Sequence, residues 1–176
     1  MKNTNEAEKN IGKTLLIRLN SLDKGERSVL RRTVGRSLSQ IDVRALETAF
    51  RVMPDDRQTE LRQSAWLLAL GVGSLWDAGI VHKTMGFADM LRLYKNNQNM
   101  NGMDHLFRGL LDTRFDGEDG YLAGKIGRLA RMLWANDQTV MPDVNQLLYD
   151  IDSWNDEKRT IQIRWAQRYY QKSTQY

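Results

Sequence analysis

The chain has 176 residues, 41% of them hydrophobic and 27% charged, with a formal charge of +4, values that fit one domain or two small ones around a packed core. There is no cysteine, so disulfides, thiolate zinc sites and cysteine nucleophiles are excluded. Arginines outnumber lysines about two to one, a bias toward the planar fork that matches phosphate oxygens and stacks on bases.

Met1 to Asn10 is polar and has no apolar core, so no secretory leader is read there. The most apolar run, Ala65 to Trp76, is far shorter than the roughly 20 residues of a membrane span. These features predict a soluble, cytoplasmic protein. The helical period recurs along the chain, and no sustained period-two run of β-branched residues does. The fold class is therefore all-α, with about nine helices in two packed bundles.

A first helix is predicted from about Glu6 to Leu19, with Ile11, Leu15 and Leu19 on one stripe. Asp23 is placed to cap a second, which begins at Lys24 and extends to Arg36. At about 100° per residue, Lys24, Arg27, Arg31, Arg32 and Arg36 share half of its wheel, opposite Leu30 and Val34. Asp42 caps a third helix with Leu46, Ala49 and Phe50 inward. Asp55 or Asp56 opens a long fourth helix through Leu61, Ala65, Leu68 and Val72, and Asp77 to Met85 reads as a loop. A fifth helix follows Gly86 and carries Phe87, Met90, Leu91 and Tyr94.

The Asn-rich stretch Asn96 to Gly102 is the candidate boundary, dividing the chain into residues 1–98 and 99–176, although the two parts can share one core. A sixth helix runs from Asp104 to Leu111 and a seventh from about Glu118 to Ala135. In the seventh, Leu122, Ile126, Leu129 and Leu133 form a core stripe flanked by Lys125, Arg128 and Arg131. Pro142 is assigned to the first turn of an eighth helix holding Leu147, Leu148, Ile151 and Trp154. A ninth, from about Asp156 to Lys172, buries Ile161, Trp165 and Tyr169 and carries a further basic row, Arg164, Arg168 and Lys172.

Nothing in this pattern commits to bond chemistry. His82 and His105 are far apart and lack ligand spacing. Asp112, Asp116, Glu118 and Asp119 are the best candidates for a divalent cation, yet Arg114 breaks the calcium-loop pattern. A turn followed by a helix N-terminus, where carboxylates favour the macrodipole, is the preferred reading of the four. Asp150 and Asp152 are two apart on a helix and diverge. Gly71-Val72-Gly73 lacks the third glycine, strand and lysine of a phosphate loop. Trp66, Trp154 and Trp165 read as core rather than as stacking platforms. No metal or cofactor is expected. The residues best suited to phosphate are Arg27, Arg31, Arg32, Arg36, Lys125, Arg128 and Arg131, with Arg108 and Arg114 behind them.

Several segments in order carry a resemblance. They are Leu30-Arg-Arg-Thr-Val-Gly35, Trp66 to Leu70, His82 with Met85-Gly86 and Leu91, Leu106-Phe-Arg-Gly-Leu-Leu111, Val144 to Trp154, and Ile163 to Tyr170. The set resembles CasB, the small subunit of the type I-E CRISPR complex Cascade, over nearly all of the chain after residue 13. The resemblance implies a non-catalytic helical subunit, present as a pair beside other Cascade subunits and the guide RNA–DNA hybrid. Such a subunit offers basic surface to target DNA, including the displaced strand, in antiviral defence. Two alternatives remain: a metal-dependent nuclease using Asp112, Asp116, Glu118 or Asp119, and a helix-turn-helix regulator built from helices two and three.

Overall fold

The computed structural model describes residues 15–77, 83–98, 102–114 and 121–171. Among them are ten α-helices and two very short strands: α1 (15–20), α2 (Lys24–Arg31), α3 (Val43–Val52), α4 (Asp55–Glu60), α5 (Gln63–Gly73), β1 (Lys83–Met85), α6 (Phe87–Gln98), α7 (Met103–Leu111), α8 (Tyr121–Asn136), β2 (Val140–Pro142), α9 (Val144–Asp152) and α10 (Thr160–Tyr170). The all-α assignment holds. The predicted first-helix stretch before residue 15 lies outside the described residues.

Helix α5 is the centre of the molecule. From Ala65 to Gly73 every residue is buried, as expected of a helix apolar on all sides. It packs against α9, α2, α8 and α3. Two glycines allow this closeness. A Cβ on Gly71 would lie 2.4 Å from Thr33 Oγ1, and one on Gly73 would lie 2.6 Å from a Val144 methyl. The Gly-Val-Gly of the sequence is thus a helix-packing device. One apolar cluster takes in Leu15 and Leu19 of α1, the face of α5, Leu91 of α6, Phe107 of α7, the α8 stripe, and Trp154, Trp165 and Tyr169.

The caps follow side-chain chemistry. Asp23 accepts from Glu26 N at 2.8 Å, and Glu26 Oε2 accepts from Asp23 N at 3.0 Å, a reciprocal capping box. Asp42 caps α3 and Asp143 caps α9. At α5 the capping group arrives from another helix: Asp152 Oδ1 accepts from Arg62 N at 2.9 Å, while Arg62 donates back to the Ile151 and Asp152 carbonyls at the end of α9.

Several expectations need correction. The arginine helix stops at Arg31, and residues 32–35 form turns before the 3-10 helix Leu38–Gln40. The long fourth helix is two, α4 and α5, broken at Leu61 and Arg62, whose backbones are extended. The predicted loop before Met85 contains β1, which pairs in parallel with β2, Lys83 opposite Val140 and Met85 opposite Pro142. Pro142 therefore ends a strand, and Asp143 rather than Pro142 opens α9. The last helix begins at Thr160, because Asp156 folds back onto Lys158 N and the Thr160 hydroxyl, leaving Arg159 left-handed at φ 52°. Phe50 is 42% exposed and meets Trp66 in a T-shaped contact with ring centroids 5.1 Å apart.

Candidate nucleic-acid interface

Helix α2 delivers its arginines to two different environments. Arg27 is only 3% exposed. Its Nη1 donates to the Leu19 carbonyl at 2.7 Å, and its Nη2 donates to the carbonyls of Gly73 and Trp76. The guanidinium closes the C-terminal ends of α1 and α5, where carbonyls lack intrahelical donors and the helix dipoles are negative. Burial, with Arg31 nearby, lowers its pKa from the ordinary arginine value. It offers nothing to a ligand at the surface. Arg31, one turn on, donates through Nε to the Ser74 carbonyl and pairs with Asp77 at 2.7 Å. Both residues hold the end of α5.

Beyond Arg31 the chain turns toward α8. Gly35 has φ +82°, a conformation glycine adopts without strain. The turn then lies directly on α8. A Cβ on Gly127 would come within 2.8 Å of Val34 Cγ1 and 2.9 Å of Gly35 N. Arg131 Nη2 donates to the Val34 carbonyl at 3.0 Å. This contact creates an open groove of about 500 Å³ lined by Val34, Gly35, Gly124, Arg128, Arg131, Met132 and Ala135. Arg128 is exposed. Arg32 and Arg36, at either end of the Thr33–Gly35 turn, are exposed as well, and neither pairs with a carboxylate of the described residues.

The other predicted residues lie elsewhere. Lys125 Nζ donates to the Gly109 carbonyl and the Thr113 hydroxyl, both at 2.6 Å, closing the end of α7. Arg108 is exposed on α7. Arg114 lines a separate polar cavity of about 220 Å³ with Asp112, Asp156, Glu157 and Arg159. Arg164 pairs with Asp150, and Lys172 lies outside the described residues. The structure thus brings Arg128 and Arg131 together beside the turn that carries Arg32 and Arg36. It does not bring Arg27, Arg31, Lys125, Arg108 or Arg114 into that groove. Charge and residue type do not single out Gly35 and Gly127, although a glycine inside a helical pattern costs stability against alanine and so points to a packing reason.

Asp112 is exposed and lies 3.6 Å from Arg159; Asp116, Glu118 and Asp119, like His82, fall outside the described residues. Among the described residues there is no group of three or more acidic or histidine side chains able to hold a metal ion. Asp150 and Asp152 diverge, to Arg164 and Trp165 Nε1 and to Arg62 respectively. Trp66, Trp154 and Trp165 are all buried in the core, and so is Trp76. No described helix is long and apolar enough to cross a membrane. Between α2 and α3 the segment 32–42 is far longer than the tight turn of a helix-turn-helix.

Fold and groove together define a helical protein that presents arginines on an open, shallow surface. The chain belongs to the CRISPR-associated protein Cse2 family, whose pattern it matches over residues 26–170. No curated protein matches it. Among solved structures it is similar to a CRISPR-associated protein of the Cse2 family from Thermus thermophilus, with 23% identity, a TM-score of 0.68, and coverage of 90% of this chain and 97% of that one. It is also similar to CasB from M. ruber, with 17% identity, a TM-score of 0.64, and coverage of 90% and 91%. A structure of CasB from Thermus thermophilus gives 22%, 0.63, 90% and 97%. At these identities the likeness is one of fold. With the family match, it supports the CasB resemblance: the chain is a Cse2/CasB-family component of CRISPR Cascade.

Proposed function

We propose that this protein is a non-catalytic, nucleic-acid-binding small subunit of a type I-E Cascade complex. It holds the phosphate backbone of target DNA, the displaced strand included, and so stabilises the R-loop in antiviral defence. The observation that carries the proposal is the groove where Arg128 and Arg131 of α8 meet the turn bearing Arg32 and Arg36. Phosphate contacts fix position without reading sequence, so specificity is left to guide pairing. Exchanging a DNA duplex for a hybrid is nearly balanced, and a few backbone contacts can tip it. Its partners in this reading are DNA, the guide RNA–DNA hybrid, other Cascade subunits and a second copy of itself, in the prokaryotic cytoplasm.

The test is retention of target DNA by the assembled complex carrying Arg36→Glu and Arg128→Glu, measured across salt concentrations. Every phosphate that is no longer neutralised should reduce the log–log salt slope by about 0.9. Retention and slope unchanged from the parent would overturn the reading. Preference for one selected duplex over random ones would favour a regulator. Cleavage of DNA or RNA with magnesium or manganese, abolished by Asp116→Ala, would favour a nuclease.

A further inference from the structure

The nucleic-acid groove is not a property of α8 alone. Its second wall is the turn after α2, and three features hold that turn in place. Gly127 has no side chain at the point of contact, Gly35 takes a left-handed backbone, and Arg131 donates to the Val34 carbonyl. Each removes an obstacle or adds a tie at the same junction. A Cβ on Gly35 would itself lie 3.6 Å from Arg131 Nη1, so the guanidinium lies over the glycine. The other arginines that line or flank the groove, Arg32, Arg36 and Arg128, have no such bond to the described residues.

We propose that the Gly35–Gly127 contact, pinned by Arg131, is a positioning device that sets the groove's geometry. On this proposal, which rests on the nucleic-acid reading above, Arg131 acts chiefly through the turn. Arg128 contacts phosphate directly, and Arg32 and Arg36 do so only while the turn is seated on α8. The site is then composite: its affinity depends on residues that carry no charge, and one of its arginines matters for where it holds its neighbours.

Two measurements separate positioning from direct contact. The first uses a change that removes no charge. Gly127→Ala should weaken binding of a target-DNA probe by the assembled complex about tenfold and lower the salt slope by about 0.9 for each of Arg32 and Arg36 that moves away from phosphate. Gly109→Ala is the control, inside α7, where a new methyl meets only Lys125 Nζ at 3.8 Å; it should change neither quantity. The second is a double-mutant cycle. Arg36→Ala should weaken binding in the parent but have little further effect once Arg131→Ala has freed the turn. Arg36→Ala and Arg128→Ala should instead multiply.

Independent effects of Arg131→Ala and Arg36→Ala would overturn the proposal, as would a folded Gly127→Ala protein with parental affinity and slope. If Gly127→Ala does not fold, the cycle decides alone. If Arg36→Ala and Arg128→Ala both leave binding untouched, it is the nucleic-acid reading that fails, a result distinct from failure of the positioning device.

Discussion

Arg27 gives the sharpest contrast between a basic residue seen on a wheel and the same residue in the fold. Consider Arg27→Met, which keeps most of the side-chain volume and removes every donor. The Leu19 carbonyl loses a bond of 2.7 Å, that of Trp76 loses its guanidinium partner, and that of Gly73 loses a long bond at 3.4 Å. Bonds to a charged donor contribute about 1.5–3 kcal/mol each. Part of that is offset because the parent also buries a guanidinium, at a desolvation cost. A net loss of about 3 kcal/mol follows, and at about 2–4 °C per kcal/mol for a chain of this size the thermal midpoint falls by about 6–12 °C. Arg32→Gln, at the exposed turn, should stay within about 0.5 kcal/mol of the parent. Circular-dichroism melts read the first effect, and DNA binding below both midpoints reads the second. The variants should show opposite signatures: Arg27→Met unstable with near-parental binding when folded, Arg32→Gln stable with weakened binding. An Arg27→Met protein that melts with the parent and binds DNA as poorly as Arg32→Gln would refute the assignment of Arg27 to the scaffold.

Three further outcomes follow from the packing and the charges. Gly71→Ala puts a methyl 2.4 Å from Thr33 Oγ1 and 3.1 Å from the Leu30 carbonyl, so urea unfolding should show a loss of about 1–3 kcal/mol from overpacking between α2 and α5. Asp104 and Asp150 should respond to pH with opposite signs. The bond from Lys95 holds the Asp104 carboxyl below its ordinary 3.8; its stabilisation is complete above that value and disappears as pH falls through the lowered one, so Asp104→Asn should cost more at neutral pH than in strong acid. Burial raises the Asp150 carboxyl, against the opposing bonds from Trp165 and Arg164. Its contribution is complete below 3.8 and declines as pH rises through the raised value, so Asp150→Asn should cost more in acid than at neutral pH; a cost independent of pH in both variants would contradict both signs, and a shared slope would contradict one of them. Finally, α5 packs on α9, α6 packs on α10, and β1 pairs with β2. Fluorescence and circular dichroism should therefore report one coincident unfolding transition, and two resolved transitions would indicate independent halves.

Helix positions were legible wherever a local rule was sufficient. The Asp23 and Asp42 caps and the Leu122, Ile126, Leu129, Leu133 stripe each depend on residues within a turn or two of one another. What was not legible depends on distant residues. The break between α4 and α5 is sealed by Asp152, ninety positions away from Arg62, and the three-residue strands are too short to have a period. The arginine pattern from 24 to 36 continues on paper, but the chain leaves the helix after Arg31 because Gly35 turns left-handed and seats the turn on α8.

Contacts between distant elements are also why a census of positive residues overstates a binding surface. A wheel gives direction around one axis and says nothing of what a second helix places there. Arg27 points toward the carbonyl ends of α1 and α5, and Lys125 toward the end of α7. A cation near such an end is drawn inward by acceptors that have no other donor. An arginine remains available to phosphate only where the neighbouring backbone is already satisfied or shields no free carbonyl. In the proposed reading Arg128, on the exposed side of α8 where the backbone bonds are made within the helix, meets that condition, as do Arg32 and Arg36 at the turn. Arg131 sits between the two cases, bonded to one carbonyl while lining the open groove. The sequence marks the place through its glycines rather than its charges: Gly127 interrupts a stripe of good helix formers where, by propensity alone, alanine would serve better by about 1 kcal/mol. Its occurrence there makes sense once the turn carrying Arg32 and Arg36 is laid across it.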